Sequence, residues 1–308
     1  AVQEIAMTLS NAIYYVRQSI DKGMDIDDFA PRISFFFACH NNFLEEISKF
    51  RAARQLWYEL VENEFSPSNP KSSQLRFHTQ TSGVTLTAQQ PMNNAIRVSY
   101  QALASVFGGT QSLHTNSFDE ALGLPTEESA KIALRTQQII AEEIGVKDYA
   151  DPLGGSAVIE ALTDELIDGA RTMIDEIESM GGALECVKSG FQQRAIHESA
   201  WTHLQRVENG DELVVGVNSH AEKDNPDFEG LLLDSDAEKR KASELDEMKK
   251  NRDQIRVEDS LKAIRNSCRN GSNLMDPIIS ASKAEVTVGE INSILRDEFG
   301  TWVAPSGV

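Results

Sequence analysis

Apolar residues along the first 180 positions recur with two different periods, and the alternation between them predicts strands and helices in turn. Residues 2–22 read as a helix, and Arg32–Cys39, with three consecutive phenylalanines, reads as a strand. A long helix is predicted over 42–64, with Phe43, Ile47, Phe50, Trp57 and Leu60 at helical spacing, and the proline-bearing stretch at 66–69 breaks it. Leu75–Thr81 reads as a second strand. The next helix runs from Pro91 to Phe107, with Ile96, Leu103 and Val106 inward, and stops at Gly108-Gly109. Gln111–Thr115 reads as a third strand. Thr126 is the expected cap of a helix that ends at Gly145, and Glu127 and Glu128 suit its positive end. A short fourth strand is expected near Asp148–Ala150, then a helix from Ala157 to Met180 that closes on Gly181-Gly182.

Strand and helix in alternation, four times over, predict parallel β-α-β units and an α/β fold. Four strands cannot close a barrel, which needs eight, and two free parallel edges would be a liability. Helices of this length between strands fit a β/α barrel or an open doubly wound sheet; if the architecture is a barrel, residues 1–182 form only half of a (β/α)8 TIM barrel. The pattern changes after that point. Residues 183–208 look helical, Glu212–Val217 is a short strand-like run, and 219–257 is densely charged, with Pro226 and a solvated helix around Asp236–Arg256. Residues 286–299 read as a final helix. The stretch 183–308 is expected to be a mainly helical C-terminal extension, a linker and wrapping tail.

Alternation along the strands singles out candidate chemistry, because side chains at i, i+2 and i+4 share a face. Arg32, Ser34 and Phe36 form one such set, and Arg76, His78 and Gln80 another. In the third strand Gln111, Leu113 and Thr115 share one face, and Ser112, His114 and Asn116 the other. Barrel interiors are ordinarily filled with Val, Ile and Leu. Arg, His and Gln on one face pack poorly, and burying them without partners costs several kcal/mol, roughly 2–7 for each group. Two readings of the set stand on spacing alone: the lining of a polar ligand channel, or residues at an exposed strand edge. Asp119-Glu120 after the third strand reads as a helix cap or as part of an active-site loop. The glycine pairs lack the strand-GxGxxG-helix context of a dinucleotide site, and no metal-ligating set is apparent.

Charge and cysteine usage narrow the partners. Forty-eight acidic against 29 basic residues give a net charge of −19, which argues against nucleic acid, whose phosphates need clustered Lys and Arg. Cys39, Cys186 and Cys268 are odd in number and far apart, so neither a disulfide framework nor a zinc site is expected. No run of about 20 apolar residues predicts a membrane span, and the opening residues do not read as a secretory signal. A reducing, cytoplasmic setting is expected.

One region is more specific than any of these patterns. It runs Arg76-Phe77-His78-Thr79-Gln80-Thr81-Ser82-Gly83, then Asn93-Asn94-x-x-Arg97, then the unbroken stretch from Gly108 to Thr126, GGTQSLHTNSFDEALGLPT. With Arg32-Ile33-Ser34-Phe35-Phe36, Asp151-Pro152-x-Gly154-Gly155-Ser156 and Val215-Gly216-Val217-Asn218, it closely resembles the large, catalytic subunit of the methylmalonyl-CoA mutase family, over essentially the whole chain.

That resemblance implies the carboxy-terminal half of a (β/α)8 barrel that threads an acyl-CoA along its axis beneath adenosylcobalamin. The implied reaction is a radical carbon-skeleton isomerisation, in which (R)-methylmalonyl-CoA and succinyl-CoA interconvert. By the same resemblance Arg32, Ser34, Phe36, Arg76 and Gln111 meet the substrate, and His78 meets the thioester carbonyl as the catalytic hydrogen-bond donor. Gln80, Glu120 and Gly123 face the cofactor. Val84 stands where single-chain mutases often carry Trp, and no histidine here has the DxHxxG setting of a cobalamin-binding domain. Both departures resemble the split form of the family, with a separate small cobalamin-binding subunit. The expected assembly is thus a hetero-oligomer or dimer, completed by the missing N-terminal barrel half with its substrate-carboxylate arginine and Tyr-His pair. Isobutyryl-, 2-hydroxyisobutyryl- and ethylmalonyl-CoA remain alternative substrates, and a non-catalytic scaffold for a cobalamin subunit is the alternative of another class.

Overall fold

The computed structural model describes residues 1–222, 234 and 236–303; the charged stretch around Pro226 lies outside them. The described residues fall into two compact units, one within Ala1–Leu231 and one within Leu232–Ala304. The first opens with helix α1 (Val2–Asp21), then the short α2 (Ile26–Phe29) and a 3-10 turn over Ala30–Arg32. Strand β1 (Phe35–Cys39) leads into α3 (Phe43–Phe65), β2 (Phe77–Thr81) into α4 (Asn93–Phe107), and β3 (Ser112–His114) into α5 (Glu127–Glu142). The strands form one parallel sheet in the order β1-β2-β3. The fold is thus α/β, mostly helical around a small parallel sheet. No helix among the described residues is long and apolar enough to cross a membrane.

One face of this sheet is aromatic. Phe35, Phe37 and Cys39 of β1 and Phe77 of β2 are buried, as alternation requires. The Phe50 ring of α3 stacks on Phe77 at 5.0 Å, and Trp57 meets Phe35 edge-on at 4.9 Å. Such pairs contribute about 0.5–1.5 kcal/mol each beyond their buried area. Gly108 ends α4 directly beneath this cluster: a Cβ there would lie 2.3 Å from the Phe50 ring, so no side chain fits. Helix α6 (Ala157–Ser179) packs across α1 and α3 and buries Ile159, Leu166, Ile167, Ala170 and Ile174 in the same core.

A buried cation joins these layers. Lys49 of α3 is fully buried, and its Nζ donates to Glu4 Oε2 of α1 (2.7 Å), Glu46 Oε2 (2.5 Å) and the Ala38 carbonyl of β1 (2.8 Å). Glu4 Oε1 also accepts the Ala38 N–H at 2.8 Å. Burial opposes the charge on Lys49, but Glu4 and Glu46 outweigh it and hold the ammonium above its usual range.

Several expected elements differ. The fourth strand near Asp148–Ala150 is absent: Val146–Asp148 is a 3-10 turn, which leaves only Tyr149 and Ala150 before left-handed Asp151. The strand-like run Glu212–Val217 is a tight turn with one bridge, Val215 to Ser219. Asn218 forces it by accepting the Val214 N–H and donating to the Val207 and Glu212 carbonyls. The helical stretch expected over 183–208 forms as two helices, α7 (Ala183–Ser189) and α8 (Phe191–Asn209), divided at left-handed Gly190.

The second unit is a folded helical body within the stretch expected to be a mainly helical extension and wrapping tail. Its helices are α9 (Ala237–Asn251), α10 (Gln254–Asn270), α11 (Met275–Lys283) and α12 (Val288–Phe299). Helix α9 buries none of its residues, in keeping with a solvated helix, but it ends at Arg252, where the Asp253 carboxylate caps α10 instead. Val257, Ile264, Ala281, Ala284, Val286 and Ile294 make a small core. Arg252 grips Glu290 with two hydrogen bonds of 2.8 and 2.6 Å, and Glu290 completes a capping box with Thr287.

Replacing Lys49 with Met leaves Glu4 and Glu46 without their cation and is expected to destabilise the first unit by about 3–5 kcal/mol; adding Glu46→Gln should recover part of that, as read from urea unfolding. In the second unit, the hydrogen bond from Arg252 lowers the Glu290 carboxyl pKa to about 2. A carboxyl depressed in the folded state stabilises above its unfolded value and loses that contribution as pH falls. Stability of this unit should therefore decline from about pH 4.5 toward 2, and the Glu290→Gln variant should lack that component of the acid transition.

Candidate active site

The second face of the sheet is polar and open. Parallel register sets Phe36 beside His78 and His78 beside Ser112, and one step on it sets Ala38 beside Gln80 and Gln80 beside His114. Partners in register project from the same face, so two rows of side chains cross all three strands. Phe36 is 58% exposed on this face while its neighbours Phe35 and Phe37 are buried. Its ring meets the His78 imidazole at 5.1 Å. His78 Nδ1 lies 2.7 Å from Ser112 Oγ. With the serine hydroxyl donating there, the imidazole proton sits on Nε2, available to an acceptor above the sheet.

Arg32, Ser34 and Arg76 collect at the amino-terminal end of this face. Arg32 closes the 3-10 turn before β1, and Ser34 and Arg76 immediately precede β1 and β2. The Phe35 N–H donates to the Arg76 carbonyl at 2.8 Å, and the Arg76 guanidinium donates to the Pro31 carbonyl, which ties the starts of the two strands together. Gln111 is one residue out of phase with the open face. Its Oε1 accepts the Phe77 N–H at 2.7 Å and its Nε2 donates to the Gly109 carbonyl at 2.8 Å, so its amide anchors the start of β3. Ser112, which the strand pattern placed on the other face from Gln111, is the one that joins His78.

At the carboxyl ends of the strands the loops form a rim. Gln80 Nε2 donates to Asn116 Oδ1 at 2.9 Å, and the Asn116 N–H donates to Thr81 Oγ1 at 2.8 Å. Asn116 is buried, yet its Nδ2 has no partner among the described residues. Gly83 lies against that amide: a Cβ on it would stand 3.1 Å from Asn116 Nδ2 and 3.4 Å from Glu120 Oε1. Glu120 is exposed at this rim, and a Cβ at Gly123 would meet nothing within 4 Å. Asp119 separates from its neighbour in role. It is fully buried and its Oδ2 accepts the Thr126 N–H at 3.2 Å; although burial opposes its charge, the nearby Ser117 and Ser129 hydroxyls and that N–H keep its pKa below the usual carboxylate value.

His40 and Ser82, at the ends of β1 and β2, also belong to the rim, with Nε2 and Oγ 3.3 Å apart. Behind them the buried Gln101 accepts the Ser82 N–H and donates to Asn41 and Thr85. Alternation grouped Asn116 with Ser112 and His114 but gave it no role, and the pattern put no weight on Ser82. Other motif residues are scaffolding. Asn94 donates to the Thr87 and Phe118 carbonyls, and Arg97 holds the Val215 carbonyl at 2.7 Å. Arg51 bridges Asp151 and Glu160. The three cysteines are free, and burial pushes the Cys39 thiol up to about 12. Among the described residues no three His, Cys, Asp or Glu side chains group to hold a metal ion.

Comparison with known proteins bears on this arrangement. The family model described as methylmalonyl-CoA mutase matches residues 1–301. The chain is 45% identical over 305 residues to a probable mitochondrial methylmalonyl-CoA mutase of Caenorhabditis elegans, covering 99% of this chain and 41% of that protein. It is 45% identical to the mitochondrial methylmalonyl-CoA mutase of Homo sapiens, over 97% of this chain and 40% of that protein. To the methylmalonyl-CoA mutase of Rhizobium meliloti it is 42% identical, over 98% and 43%. The chain spans about two fifths of the length of these relatives.

Burial pushes the His40 imidazole below its ordinary value of 6.5. A depressed histidine stays neutral in the fold, so its contribution to stability is present above the unfolded pKa and lost as pH falls through it. An NMR titration should give His40 a midpoint below 6.5.

Proposed function

Since the chain belongs to the methylmalonyl-CoA mutase family, we propose that its first unit supplies the carboxy-terminal half of a (β/α)8 barrel that isomerises the carbon skeleton of an acyl-CoA. The substrate pair of this reading is (R)-methylmalonyl-CoA and succinyl-CoA, and the cofactor is adenosylcobalamin. The rest of the barrel and the cobalamin-binding domain come from further protein, the latter as a separate small subunit, in a hetero-oligomeric or dimeric assembly. The observation that carries the reading is the open sheet face with His78 at its centre. A parallel sheet that buries aromatic rings on one side and offers Phe36, His78, Ser112 and Gln80 on the other is suited to one wall of a ligand channel.

Each residue then has a task. Arg32, Ser34 and Arg76 receive the CoA chain at the amino-terminal mouth, Phe36 packs along it, and Gln111 fixes the channel wall at β3. His78, oriented by Ser112, donates from Nε2 to the thioester carbonyl and steadies the charge that develops on that oxygen. The rim fits a large cofactor. The buried Asn116 Nδ2 lacks a partner, Gln80 bonds the same side chain, and Gly83 keeps clear a position where a Cβ would crowd that amide and Glu120; Gly123 is assigned to the cofactor by the family motif. When bound there, adenosylcobalamin supplies the hydrogen-abstracting chemistry that no side chain of this face provides. The chain's own part is to orient the acyl group, hold the cofactor's polar edge and, with the barrel closed, keep water away.

In the complete enzyme, His78→Ala should lower kcat by roughly 10²-fold with a smaller change in KM, as loss of an oxyanion-type donor does. His78→Gln, which retains an N–H donor, should recover part of the rate. Turnover unchanged in His78→Ala would remove His78 from the site and with it the main support for the channel.

A further inference from the structure

Ser112 and His114 succeed one another on the open face of β3, and the buried Asn116 follows in the loop at its carboxyl end. The first and last are engaged across to β2: Ser112 with His78, Asn116 with Gln80. His114 lies between them as the register partner of Gln80. It is exposed, and its imidazole makes no hydrogen bond to any other described residue. A completed barrel would enclose this face, and an imidazole enclosed without a partner costs free energy. Something must meet it there.

Its layer says what. The row below, Phe36-His78-Ser112, is the thioester row of the proposed mutase, and the rim above, Gly83-Asn116-Glu120, is the cofactor side. A neutral imidazole offers one donor and one acceptor, which suits ribose hydroxyls and purine nitrogens. The carboxylate of an acyl group calls for a cation instead. We propose that His114 is a cofactor-contacting residue that hydrogen-bonds the adenosyl group of adenosylcobalamin beside Gln80. The assignment rests on the mutase reading and adds to it a residue toward the cofactor's upper ligand.

The complete enzyme with its cobalamin-binding partner tests this by absorbance titration with two probes, adenosylcobalamin and hydroxocobalamin, which share the corrin and differ in the adenosyl group. His114→Ala should weaken adenosylcobalamin on the order of tenfold, the loss of one hydrogen bond. Hydroxocobalamin affinity and the KM for acyl-CoA should stay within about twofold, and His114→Gln should restore much of the adenosylcobalamin affinity. The unchanged hydroxocobalamin affinity also reports that the variant is folded. Equal weakening of both cobalamins, or no change in either, overturns the assignment while leaving the mutase reading intact. A rise in KM alone moves His114 to the substrate and likewise overturns it. Failure of the unaltered enzyme to bind adenosylcobalamin at all overturns both.

Discussion

The first unit depends on a charge placed where water cannot reach it. Lys49 is enclosed by α1, β1 and α3, and each of these elements gives it an oxygen: Glu4, the Ala38 carbonyl and Glu46. A buried ammonium is tolerated only when paired and fully hydrogen-bonded, so the three elements are held to one relative placement. The same cluster satisfies the outer edge of β1, because Glu4 accepts the Ala38 N–H while Lys49 donates to its carbonyl, and Glu46 accepts the His40 N–H.

From that anchor the sheet meets two opposed demands. Phe35, Phe37, Phe50, Phe77 and Trp57 interlock beneath it, tightly enough that Gly108 has no room for a methyl group. Above it the side chains stay polar and reachable, and their order is enforced by neighbours rather than by packing: Ser112 sets His78, Asn116 sets Gln80, and the buried Asp119 sets the turn that carries Glu120. Rigidity on one face is what allows the other to remain unfilled and still hold its geometry. Much of the distinctive sequence serves this purpose without touching the open face. Asn94, Arg97 and Asn218 are examples: they clamp loops to helix α4 and to each other.

The second unit follows different physics. Its core is small, made of short aliphatic side chains, and ion pairs between helices supplement it: Arg252 with Glu290, Arg265 and Arg269 with Glu298. The Arg252 pair has a nearly buried cation and two-point geometry, which sets it apart from the many exposed pairs on α9 that contribute little.

Periodicity and turn residues determined the long helices α1, α3, α4, α5 and α6, the three parallel strands and the polar character of one strand face, because those follow from local spacing and from the two periods of the backbone. It also grouped Phe36 with Arg32 and Ser34 and set Arg76, His78 and Gln80 on one face. The match of long motifs determined the family. Other features depended on tertiary contacts. The expected fourth strand is lost because Val146–Asp148 winds into a 3-10 turn, which leaves only Tyr149 and Ala150 before left-handed Asp151. The helices α10 and α11 were not read from a charged, weakly patterned stretch, since their cores are assembled from single residues on different helices. Which face of β3 meets His78 was decided by register between strands, and that put Ser112 and His114 on the open face and turned the Gln111 amide to the backbone. Register is a property of two strands side by side, and no spacing within one strand contains it.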